Sequence, residues 1–372
     1  MIPLFRQYPL LKEKLPYVSL GEFPTAIEKL HRLGGEIGVD HLYVKRDDLS
    51  GKVYGGNKIR KLEFLLAHAL NAKAKGVLTF GFAGSNHALA TAIYSQRVGL
   101  KSISMLMPQP NAHYVRHNLL MSHYSGAELH QHRNVPWLAV GSIYQLLRHR
   151  IKYGYLPQII PAGGSSPLGA IGFVNAAFEL KEQIGEGKIP EPDYVYVTLG
   201  TMGTAIGLIL GLKAANLESQ VVSVRVVDEK FADVRKMIKL FHKTNSFLNA
   251  LDPAFPKCKF SEKDIDIRHD FLGEGYAHFT EKGMEVVSLM RRKEGIKLDG
   301  TYTGKTFAAL IDDAEKQNLR DKVILFWNTY NSRDLSDLIL TVNYRLLPRC
   351  FHCYFEEEVQ PLDKDSSHLS MT

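Results

Sequence analysis

The sequence predicts an α/β protein with mostly parallel β-sheet structure. From residue 76 onward, apolar segments of strand length alternate with helical segments, which is the pattern of βαβ units. The predicted strand at 194–200 is continuously apolar, as expected where helices cover both faces of a parallel sheet. The alternation restarts near residue 158, and a length of 372 residues favours two domains.

The alternation falls into two runs. The first run comprises a strand at 76–82, a helix at 86–100, a strand at 102–107, a helix at 112–125 and a strand at 127–131. The second comprises strands at 158–163, 194–200, 221–227 and 323–327, and helices at 168–184, 205–215, 279–294 and 304–318. For residues 229–270 the sequence predicts only short helices at the surface. From about residue 345 the chain is irregular and acidic, which is typical of a disordered tail.

Composition and charge exclude several classes of protein. The net charge is +7, but the basic residues are scattered, so we expect no nucleic-acid partner. The N-terminal stretch lacks the pattern of a signal peptide, and no apolar run approaches the ~20 residues of a membrane span. We therefore expect a cytoplasmic protein without a membrane partner. Cys350 and Cys353 form one CxxC pair without the second pair of a zinc site, so no metal is predicted.

The stretch GTMGT (200–204) follows a predicted strand and opens a predicted helix. Gly200 and Gly203 would let the backbone approach a ligand closely. The helix N-terminus and the hydroxyls of Thr201 and Thr204 would add donors for an anion. The dinucleotide pattern GxGxxG and the P-loop are absent, so the loop would suit a single phosphate. An ordinary β-to-α turn explains the same glycines equally well.

Two further loops, GFAGSNHA (81–88) and GGSSPLG (163–169), also follow predicted strands and open helices. Because ligands of open α/β sheets bind at the carboxyl ends of strands, we expect the three loops to share one cleft. Ser85 and Asn86 are candidate ligand contacts, although helix capping would explain one of them. His87 is of a type that is more often a surface or capping residue than a catalytic one.

The stretch GGNKIRK (55–61) places three cations, Lys58, Arg60 and Lys61, in the first turn of a predicted helix. The helix dipole disfavours cations there, by about 0.3–1 kcal/mol each. A bound phosphate would reverse that penalty, and a lysine desolvated among cations has a lowered pKa and becomes a nucleophile. A phosphate loop and an activated lysine together suggest pyridoxal 5′-phosphate (PLP), which is held by its phosphate and by a Schiff base.

Several segments resemble one family of PLP enzymes. The run KRDDLSGKVYGGNKIRKLEFLL (45–66) is similar to the PLP-lysine segment of the D-cysteine desulfhydrase and 1-aminocyclopropane-1-carboxylate (ACC) deaminase family. The resemblance covers most of residues 15–330 and implies the tryptophan synthase β-like fold (fold type II), with two open, twisted, mostly parallel sheets flanked by helices. The other segments that carry it are LGEFPTAIEKL (20–30), GSNHA (84–88), GGSSPLGAIGFVNAAFEL (163–180), GTMGT (200–204), GEGYAHFTEKG (273–283) and LDGTYTGKTFAAL (298–310).

The resemblance also implies roles for single residues. Lys58 would form the Schiff base, Asn86 would bind the ring hydroxyl of PLP, and Ser85 would meet the substrate carboxylate. The implied catalytic residues are Lys58, Ser85, Tyr276 and Tyr302; the cofactor residues are Lys58, Lys61, Asn86, Gly200, Thr201, Met202, Gly203, Thr204 and Thr303; and the substrate contacts are Ser85, Asn86, His87 and Thr329.

Two positions favour one reaction of this family. Thr303 stands where ACC deaminases carry a glutamate that faces the pyridine nitrogen. A hydroxyl leaves the ring a weaker electron sink, which is adequate for the loss of a thiolate but less suited to opening a cyclopropane. Thr329 matches a threonine of the desulfhydrases. The chain departs from the family where Gly84 replaces a glutamine and where Tyr330 and Asn331 replace two glycines.

We therefore expect a PLP-dependent lyase that acts on a small amino-acid substrate and forms a homodimer. The expected reaction is α,β-elimination of a D-amino acid, with D-cysteine as the leading candidate, giving pyruvate, ammonia and sulfide. A larger PLP-binding domain is expected at 1–55 and 165–345, and a smaller inserted α/β domain carrying the Schiff-base lysine at 56–164. Residues 346–372 are expected to form a C-terminal tail.

Three alternatives stay open at this point. The enzyme could open the ring of ACC instead. The protein could hold PLP with little catalysis, if the changes at Gly84, Tyr330 and Asn331 have closed the substrate pocket. The C-terminal tail could bind a partner.

Overall fold

The predicted alternation of strands and helices is present in the computed structural model, which describes residues 1–364. The strands among these residues are β1 (Ile27–Lys29), β2 (His41–Lys45), β3 (Gly76–Phe82), β4 (Lys101–Met107), β5 (Glu128–Gln131), β6 (Gln158–Ile160), β7 (Tyr194–Leu199), β8 (Gln220–Arg225), β9 (Asp266–Arg268) and β10 (Val323–Trp327).

The α-helices surround these strands in the order expected of βαβ units. They are α1 (Pro3–Gln7), α2 (Pro9–Lys14), α3 (His31–Ile37), α4 (Lys58–Asn71), α5 (Asn86–Arg97), α6 (His113–Tyr124), α7 (Val135–Tyr153), α8 (Pro167–Gly185), α9 (Gly203–Ala214), α10 (Val234–Leu251), α11 (Glu281–Glu294), α12 (Thr303–Lys316), α13 (Ser336–Ile339), α14 (Cys353–Glu356) and α15 (Pro361–Lys364). No helix of residues 1–364 is long and apolar enough to span a membrane.

The chain divides into two compact units. The larger unit comprises Met1–Phe64 and Ser165–Arg333, and the smaller unit comprises Leu65–Gly164 and the segment that begins at Asp334. Among residues 1–364, each unit contains one sheet, and all but one of the strand pairings are parallel. The predicted fold class, an α/β protein with two mostly parallel sheets flanked by helices, is confirmed.

The sheet of the larger unit has the strand order β1-β2-β10-β7-β8-β9, with β1 antiparallel to β2. Successive residues of β10 bury their side chains on opposite faces, as the pleat of a strand requires. Leu325 and Trp327 lie in the cluster that contains the apolar side chains of α8 and α9. Ile324 and Phe326 lie in the cluster that contains Phe307 of α12. Both faces are therefore covered, which explains why β10 is apolar throughout.

Glycines let two helices of the larger unit pack closely. A Cβ atom at Gly207 of α9 would lie 2.4 Å from the carbonyl oxygen of Ala170 in α8, and one at Gly211 would lie 2.6 Å from the Cβ of Ala177. A side chain at either position would overpack this interface. This close approach places the N-terminus of α9 beside the loop that precedes α8, where Ser165 lies.

A buried ion network holds the first turn of α4 in the larger unit. The guanidinium of Arg60 donates to Asp47 at 2.7 and 2.9 Å and to Glu179 at 2.8 Å. Lys45 donates to Glu179 at 2.6 Å. Two cations thus face two carboxylates, and all four side chains are almost fully buried. Removing any one member would leave a buried charge uncompensated, which typically costs 3–5 kcal/mol.

The sheet of the smaller unit has the order β5-β4-β3-β6 and is parallel throughout. Leu78, Ile103 and Met105 form its buried cluster. Residues of the C-terminal segment pack on the same unit: Phe351 and Tyr354 are buried, and the Tyr354 carbonyl accepts from Asn111 Nδ2 at 3.0 Å. These contacts hold the segment in place as far as residue 364.

The structure corrects three expectations. The unit boundary falls after Phe64 and not after residue 55, so that Lys58 belongs to the larger unit, because Arg60 ties the first turn of α4 to that unit. The tail expected at 346–372 is ordered as far as 364, and residues 365–372 lie outside the described residues. Residues 234–251 form one helix with buried Met237, Phe241 and Leu248, and not several short ones.

Candidate active site

The loop that presents Lys58 is fixed by backbone hydrogen bonds within the larger unit. Gly55 N donates to Asn331 Oδ1 at 2.6 Å, Gly56 N to Asp47 O at 2.7 Å, and Asn57 N to Thr329 O at 3.1 Å. Gly56 has φ +93°, a conformation that favours glycine. A Cβ at Gly55 would lie 1.9 Å from the carbonyl oxygen of Asp48. The three residues before Lys58 therefore have little freedom to move.

Lys58 is the first residue of α4 and keeps partial solvent exposure. Desolvation lowers its pKa to about 8, and the carboxylate of Asp299 opposes this shift. At neutral to mildly alkaline pH a substantial fraction of the amine is therefore unprotonated, which is the form that attacks a carbonyl. Lys61, one turn later, is buried, and burial and the Lys58 charge hold its pKa well below the usual value.

Lys61 lies at a cradle of donors formed by two loops of the larger unit. The Ser165 hydroxyl donates to Thr201 Oγ1 at 2.8 Å and accepts from Gly203 N at 3.1 Å. A Cβ at Gly203 would lie 3.1 Å from Lys61 Nζ and 2.7 Å from Ser165 Oγ, so only glycine fits between these groups. Hydroxyls, a helix N-terminus and a desolvated ammonium are the donors that phosphate-binding sites use.

One hydrogen bond joins this cradle to the lysine loop, and the backbone of the loop 200–204 is itself strained. Asn57 Nδ2 donates to Thr204 Oγ1 at 3.0 Å, so the residue before Lys58 contacts the first turn of α9. Met202 has φ +70°, a conformation that L side chains rarely adopt. Such backbone strain costs about 1–3 kcal/mol and persists where surrounding contacts enforce it. The loop 200–204 is thus held in one conformation with its amides near Ser165.

Two predicted tyrosines contact each other in the larger unit. The hydroxyls of Tyr276 and Tyr302 form a hydrogen bond, and their rings pack edge to face with centroids 6.1 Å apart. Burial raises the pKa of Tyr276 to about 12, against the effect of its hydrogen bond to Tyr302. The Tyr276 hydroxyl therefore stays protonated at neutral pH.

Thr303 shares its hydroxyl with Asp299 at the start of α12. Thr303 Oγ1 donates to Asp299 Oδ1 at 2.6 Å and accepts from Asp299 N at 2.8 Å. The same carboxylate accepts from the backbone amides of residues 301–303 at 2.9–3.1 Å. Burial raises the pKa of Asp299, against the effect of these hydrogen bonds. Because the Thr303 proton points to Asp299, the oxygen can accept one further hydrogen bond.

The residues around Thr329 support the lysine loop. The Thr329 side chain is buried, and its carbonyl accepts from Asn57 N. Asn331, which replaces a family glycine, accepts from Gly55 N and donates to the Arg333 carbonyl at 2.9 Å. The Asn331 amide is thus committed to backbone partners in the larger unit, which is a structural role for this substitution.

The smaller unit carries Ser85, Asn86 and His87 at the start of α5. Ser85 is the N-cap, and its hydroxyl accepts from Ala88 N at 3.2 Å. Asn86 Oδ1 accepts from Asn118 Nδ2 at 2.9 Å. The His87 ring is buried and its Nε2 lies 3.0 Å from Thr79 Oγ1, whose proton goes to the Ile160 carbonyl at 3.1 Å. The imidazole is thus buried inside this unit, and the expected substrate contact of His87 stays a prediction.

The larger unit fits PLP at two separate points. The donors around Gly203 and Lys61 match a phosphate group, because an anion there would offset the desolvation of the lysine. Lys58 offers an amine with a lowered pKa for a Schiff base. These two features belong to one unit and to adjacent turns of α4.

Sequence reasoning missed several residues that shape these loops. Ser165 lies in the GGSS turn, where the sequence predicts a loop but gives no role to this hydroxyl. Asp299 precedes the recognised YTGK stretch by three residues. Gln109 and Asn118 hold the Ser85–Asn86 turn within the smaller unit, and no local pattern marks them.

Comparisons with known sequences identify a family of PLP enzymes. Residues 18–329 match the family described as "Pyridoxal-phosphate dependent enzyme". A putative 1-aminocyclopropane-1-carboxylate deaminase of Pyrococcus furiosus is 33% identical over 84% of this chain and 92% of its own length. The D-cysteine desulfhydrase of Serratia proteamaculans is 32% identical over 86% of this chain and 96% of its own length.

Solved structures of PLP enzymes resemble this chain as well. The crystal structure of an ACC deaminase homologue superposes with a TM-score of 0.74 at 30% identity, over 91% of this chain and 99% of that one. Threonine deaminase isoform 2 from Solanum lycopersicum shares the fold, with a TM-score of 0.58 at 14% identity over 91% of this chain and 92% of that one. The family match, the two groups of relatives and the superposition agree that this chain belongs to the family of pyridoxal-phosphate-dependent enzymes.

Proposed function

We propose that this PLP enzyme catalyses the α,β-elimination of D-cysteine. The net reaction consumes D-cysteine and water and yields pyruvate, ammonia and hydrogen sulfide. The observation that carries the proposal is the pairing, within one unit, of Lys58 with the donor cradle around Gly203 and Lys61. This pairing supports the binding of a phosphate-bearing aldehyde by both of its ends.

Each residue has a role that follows from its surroundings. Lys58 would provide the amine that binds the cofactor covalently, and Gly203, Ser165 and Lys61 would hold the phosphate together with the rest of the loop 200–204. When bound, PLP supplies an electron sink that makes the substrate Cα–H acidic. For Ser85 and Asn86, contacts with the substrate carboxylate and the ring hydroxyl stay predictions from the family resemblance.

The pKa shifts favour Lys58 as the group that takes the Cα proton. A base works best when its pKa lies near the working pH, and the Lys58 pKa is lowered to about 8. The Tyr276 pKa is raised to about 12, so this hydroxyl stays protonated. Tyr276 and Tyr302 would instead orient the substrate and exclude water.

The preference for D-cysteine rests on Thr303 and Thr329. Position 303 carries a hydroxyl, and Asp299, which precedes α12, is bound to that hydroxyl and to backbone amides. A neutral hydroxyl oxygen that accepts from the pyridine nitrogen stabilises a protonated ring less than a carboxylate would, which suits the loss of a good leaving group such as thiolate. The relative from Serratia proteamaculans carries the name D-cysteine desulfhydrase, which supports the same choice.

Absorption spectroscopy and product assays test this proposal. The purified protein should show a visible cofactor band that shifts with D-cysteine while sulfide and pyruvate form in equal amounts. Lys58→Ala should lose the band. Lys305→Met is the matched control, because Lys305 is another lysine whose pKa is lowered to about 8, and its Nζ donates to the Leu272 carbonyl at 2.6 Å. The control should keep the band.

Other outcomes would select the alternatives. Conversion of ACC to 2-oxobutyrate without sulfide release from D-cysteine would favour the ring-opening reaction, which the name of the Pyrococcus furiosus relative suggests. A band that responds neither to D-cysteine, L-cysteine nor ACC would favour a PLP-holding protein. Loss of the band in Lys305→Met but not in Lys58→Ala would overturn the assignment of the Schiff-base lysine.

We also propose that the protein is a homodimer joined through α7. One face of this helix exposes apolar side chains at three- and four-residue spacing, each 50–83% exposed: Trp137, Val140, Ile143, Tyr144, Leu147 and Ile151. Burying such a stripe would remove on the order of 800 Å² per protomer, which is the size of a standard interface. A second copy of the same helix offers a matching apolar surface.

Sedimentation of the full chain tests the dimer. Ile143→Glu and Leu147→Glu should convert it to a monomer. Leu340→Glu is the control, because Leu340 is 78% exposed in the smaller unit but lies outside α7. A wild-type monomer, or a dimer that survives both α7 variants, would refute the interface. Binding of the monomer to anionic vesicles would instead indicate that α7 meets a membrane surface.

A further inference from the structure

Both oxygens of the Asp299 side chain face two hydrogen-bond donors each. Oδ2 accepts from the backbone amides of Thr301 and Tyr302 at 3.1 and 3.0 Å. Oδ1 accepts from the backbone amide and the hydroxyl of Thr303 at 2.9 and 2.6 Å. A protonated acid would have to place its own proton against one of these donors. Asp299 is therefore held as a carboxylate at the entry to α12.

The single proton of the Thr303 hydroxyl has a fixed partner in this arrangement. A hydrogen bond to a carboxylate is roughly twice as strong as one between neutral groups, so the proton stays with Asp299 Oδ1 and does not turn to a neutral acceptor. The hydroxyl oxygen already accepts from Asp299 N at 2.8 Å. Thr303 Oγ1 can thus make one further hydrogen bond, and only as an acceptor.

Two contacts of the larger unit connect this turn with the proposed attachment points of PLP. Thr306 Oγ1 of α12 and Thr198 Oγ1 of β7 lie 2.7 Å apart, and Thr198 is followed two residues later by the loop 200–204. The Asp299 charge also acts on Lys58, where it opposes the lowering of the lysine pKa. Both contacts support the proposed approach of the first turn of α12 to the cofactor ring.

We propose that Asp299 is a positioning residue that keeps the Thr303 hydroxyl an acceptor, so that the pyridine nitrogen of PLP must carry a proton where it meets this hydroxyl. The inference rests on the proposed contact between Thr303 and that nitrogen. An unprotonated nitrogen would place its lone pair against the lone pair of Oγ1. A protonated ring withdraws electrons more strongly than a neutral one. The Asp299 carboxylate would therefore strengthen the electron sink through the hydroxyl, without touching the cofactor.

Asp299→Asn should reverse the direction of this hydrogen bond. The amide has one acceptor oxygen, which should stay with the backbone donors of Thr301 and Tyr302 because these cannot turn away. The NH₂ group would then face Thr303 Oγ1 and donate to it. The hydroxyl proton would be free to donate to an unprotonated ring nitrogen. A contact that favours the protonated ring is replaced by one that favours the neutral ring, so the ratio of protonated to neutral ring should fall roughly 5- to 150-fold.

Nitrogen-15 NMR of the protein loaded with PLP labelled at the ring nitrogen measures this ratio and does not depend on turnover. The wild type should give a pyridinium resonance at neutral pH, and both Asp299→Asn and Thr303→Val should shift it toward that of a neutral pyridine. Asp252→Asn is the matched control, because Asp252 is also a buried acid of the larger unit that accepts from a backbone amide, Ala254 N at 3.0 Å. The control should keep the wild-type resonance.

The possible outcomes separate the two levels of the proposal. An unchanged resonance in Thr303→Val would overturn the proposed contact between Thr303 and the ring, and the inference with it. A resonance that shifts in Thr303→Val but not in Asp299→Asn, or that shifts as far in Asp252→Asn, would overturn the role of Asp299 alone. A neutral ring in the wild type would overturn that role as well, so the inference stays testable if Asp299→Asn does not fold.

Discussion

Gly203→Ala should weaken PLP binding. The added Cβ would lie 2.7 Å from Ser165 Oγ, so the hydroxyl must retreat by about 0.7 Å to reach ordinary contact. That movement would break its hydrogen bonds with Gly203 N and Thr201 Oγ1, and the displaced donors would no longer meet the phosphate. At about 0.5–1.5 kcal/mol for each of two donors, the loss corresponds to roughly 5- to 150-fold in affinity. The melting temperature of the apoprotein should fall by less than the two broken bonds alone would cost, because alanine favours helix by up to about 1 kcal/mol over glycine.

Titration of the apoprotein with PLP, followed by its visible band, measures this effect. Gly35→Ala is the control, since it makes the same change at a helical glycine with nothing within 4 Å of the added Cβ. Ser165→Ala should cost about as much as Gly203→Ala, and the double variant should cost little more, because both act on the same hydroxyl. Unchanged affinity in Gly203→Ala would refute the placement of the phosphate at this loop.

Three further predictions concern stability. Burial raises the pKa of Glu63 to about 7, above its unfolded value, so the folded state holds the proton more tightly and stability falls as pH rises from about 4.5 to 7. Glu63→Gln should therefore raise the free energy of unfolding at pH 8 by at most about 3 kcal/mol, with a higher melting temperature, and should not raise it at pH 4.5. An equal gain at both pH values would contradict this prediction. Gly172→Ala should destabilise by about 1–3 kcal/mol or more, because its Cβ would lie 2.1 Å from the Arg60 carbonyl oxygen; a denaturant midpoint like that of wild type would contradict it. Truncation after residue 348 should lower the melting temperature by removing buried Phe351 and Tyr354; an unchanged melting temperature would restore the hypothesis that the segment serves only a partner.

The order of strands and helices could be predicted because it follows from local patterns of apolar residues. Each apolar run of strand length and each helical period can be read without knowing what packs against it. The unit boundary could not be read in this way. It depends on Arg60 pairing with Asp47 and Glu179 and on the fit of Gly172 against α4, which are contacts between distant parts of the chain. The same holds for the C-terminal segment, whose polar composition resembles that of a tail until Tyr354 finds its partners.

The residues of the candidate site also fall into those that local sequence marks and those that it does not. Glycine-rich loops and the lysine are marked by local sequence, and the family resemblance assigned them roles. The groups that hold them are not marked. Gly84 illustrates the limit: the sequence shows only that a side chain is missing there, whereas in the structure Gln109 and, in the first turn of α6, Tyr114 occupy the space that a side chain would need. A substitution that removes an amide at one position cannot be interpreted until the neighbours in space are known.

The three cations in the first turn of α4 differ in how their charge is compensated. Arg60 is neutralised inside the protein by two carboxylates, which keep its pKa above the usual value despite burial. Desolvation lowers the pKa of Lys58 and of Lys61, which makes a positive charge on either amine costly. An electrophilic carbonyl at Lys58 and an anion at Lys61 would together remove the cost of burying them, and PLP carries both in one molecule.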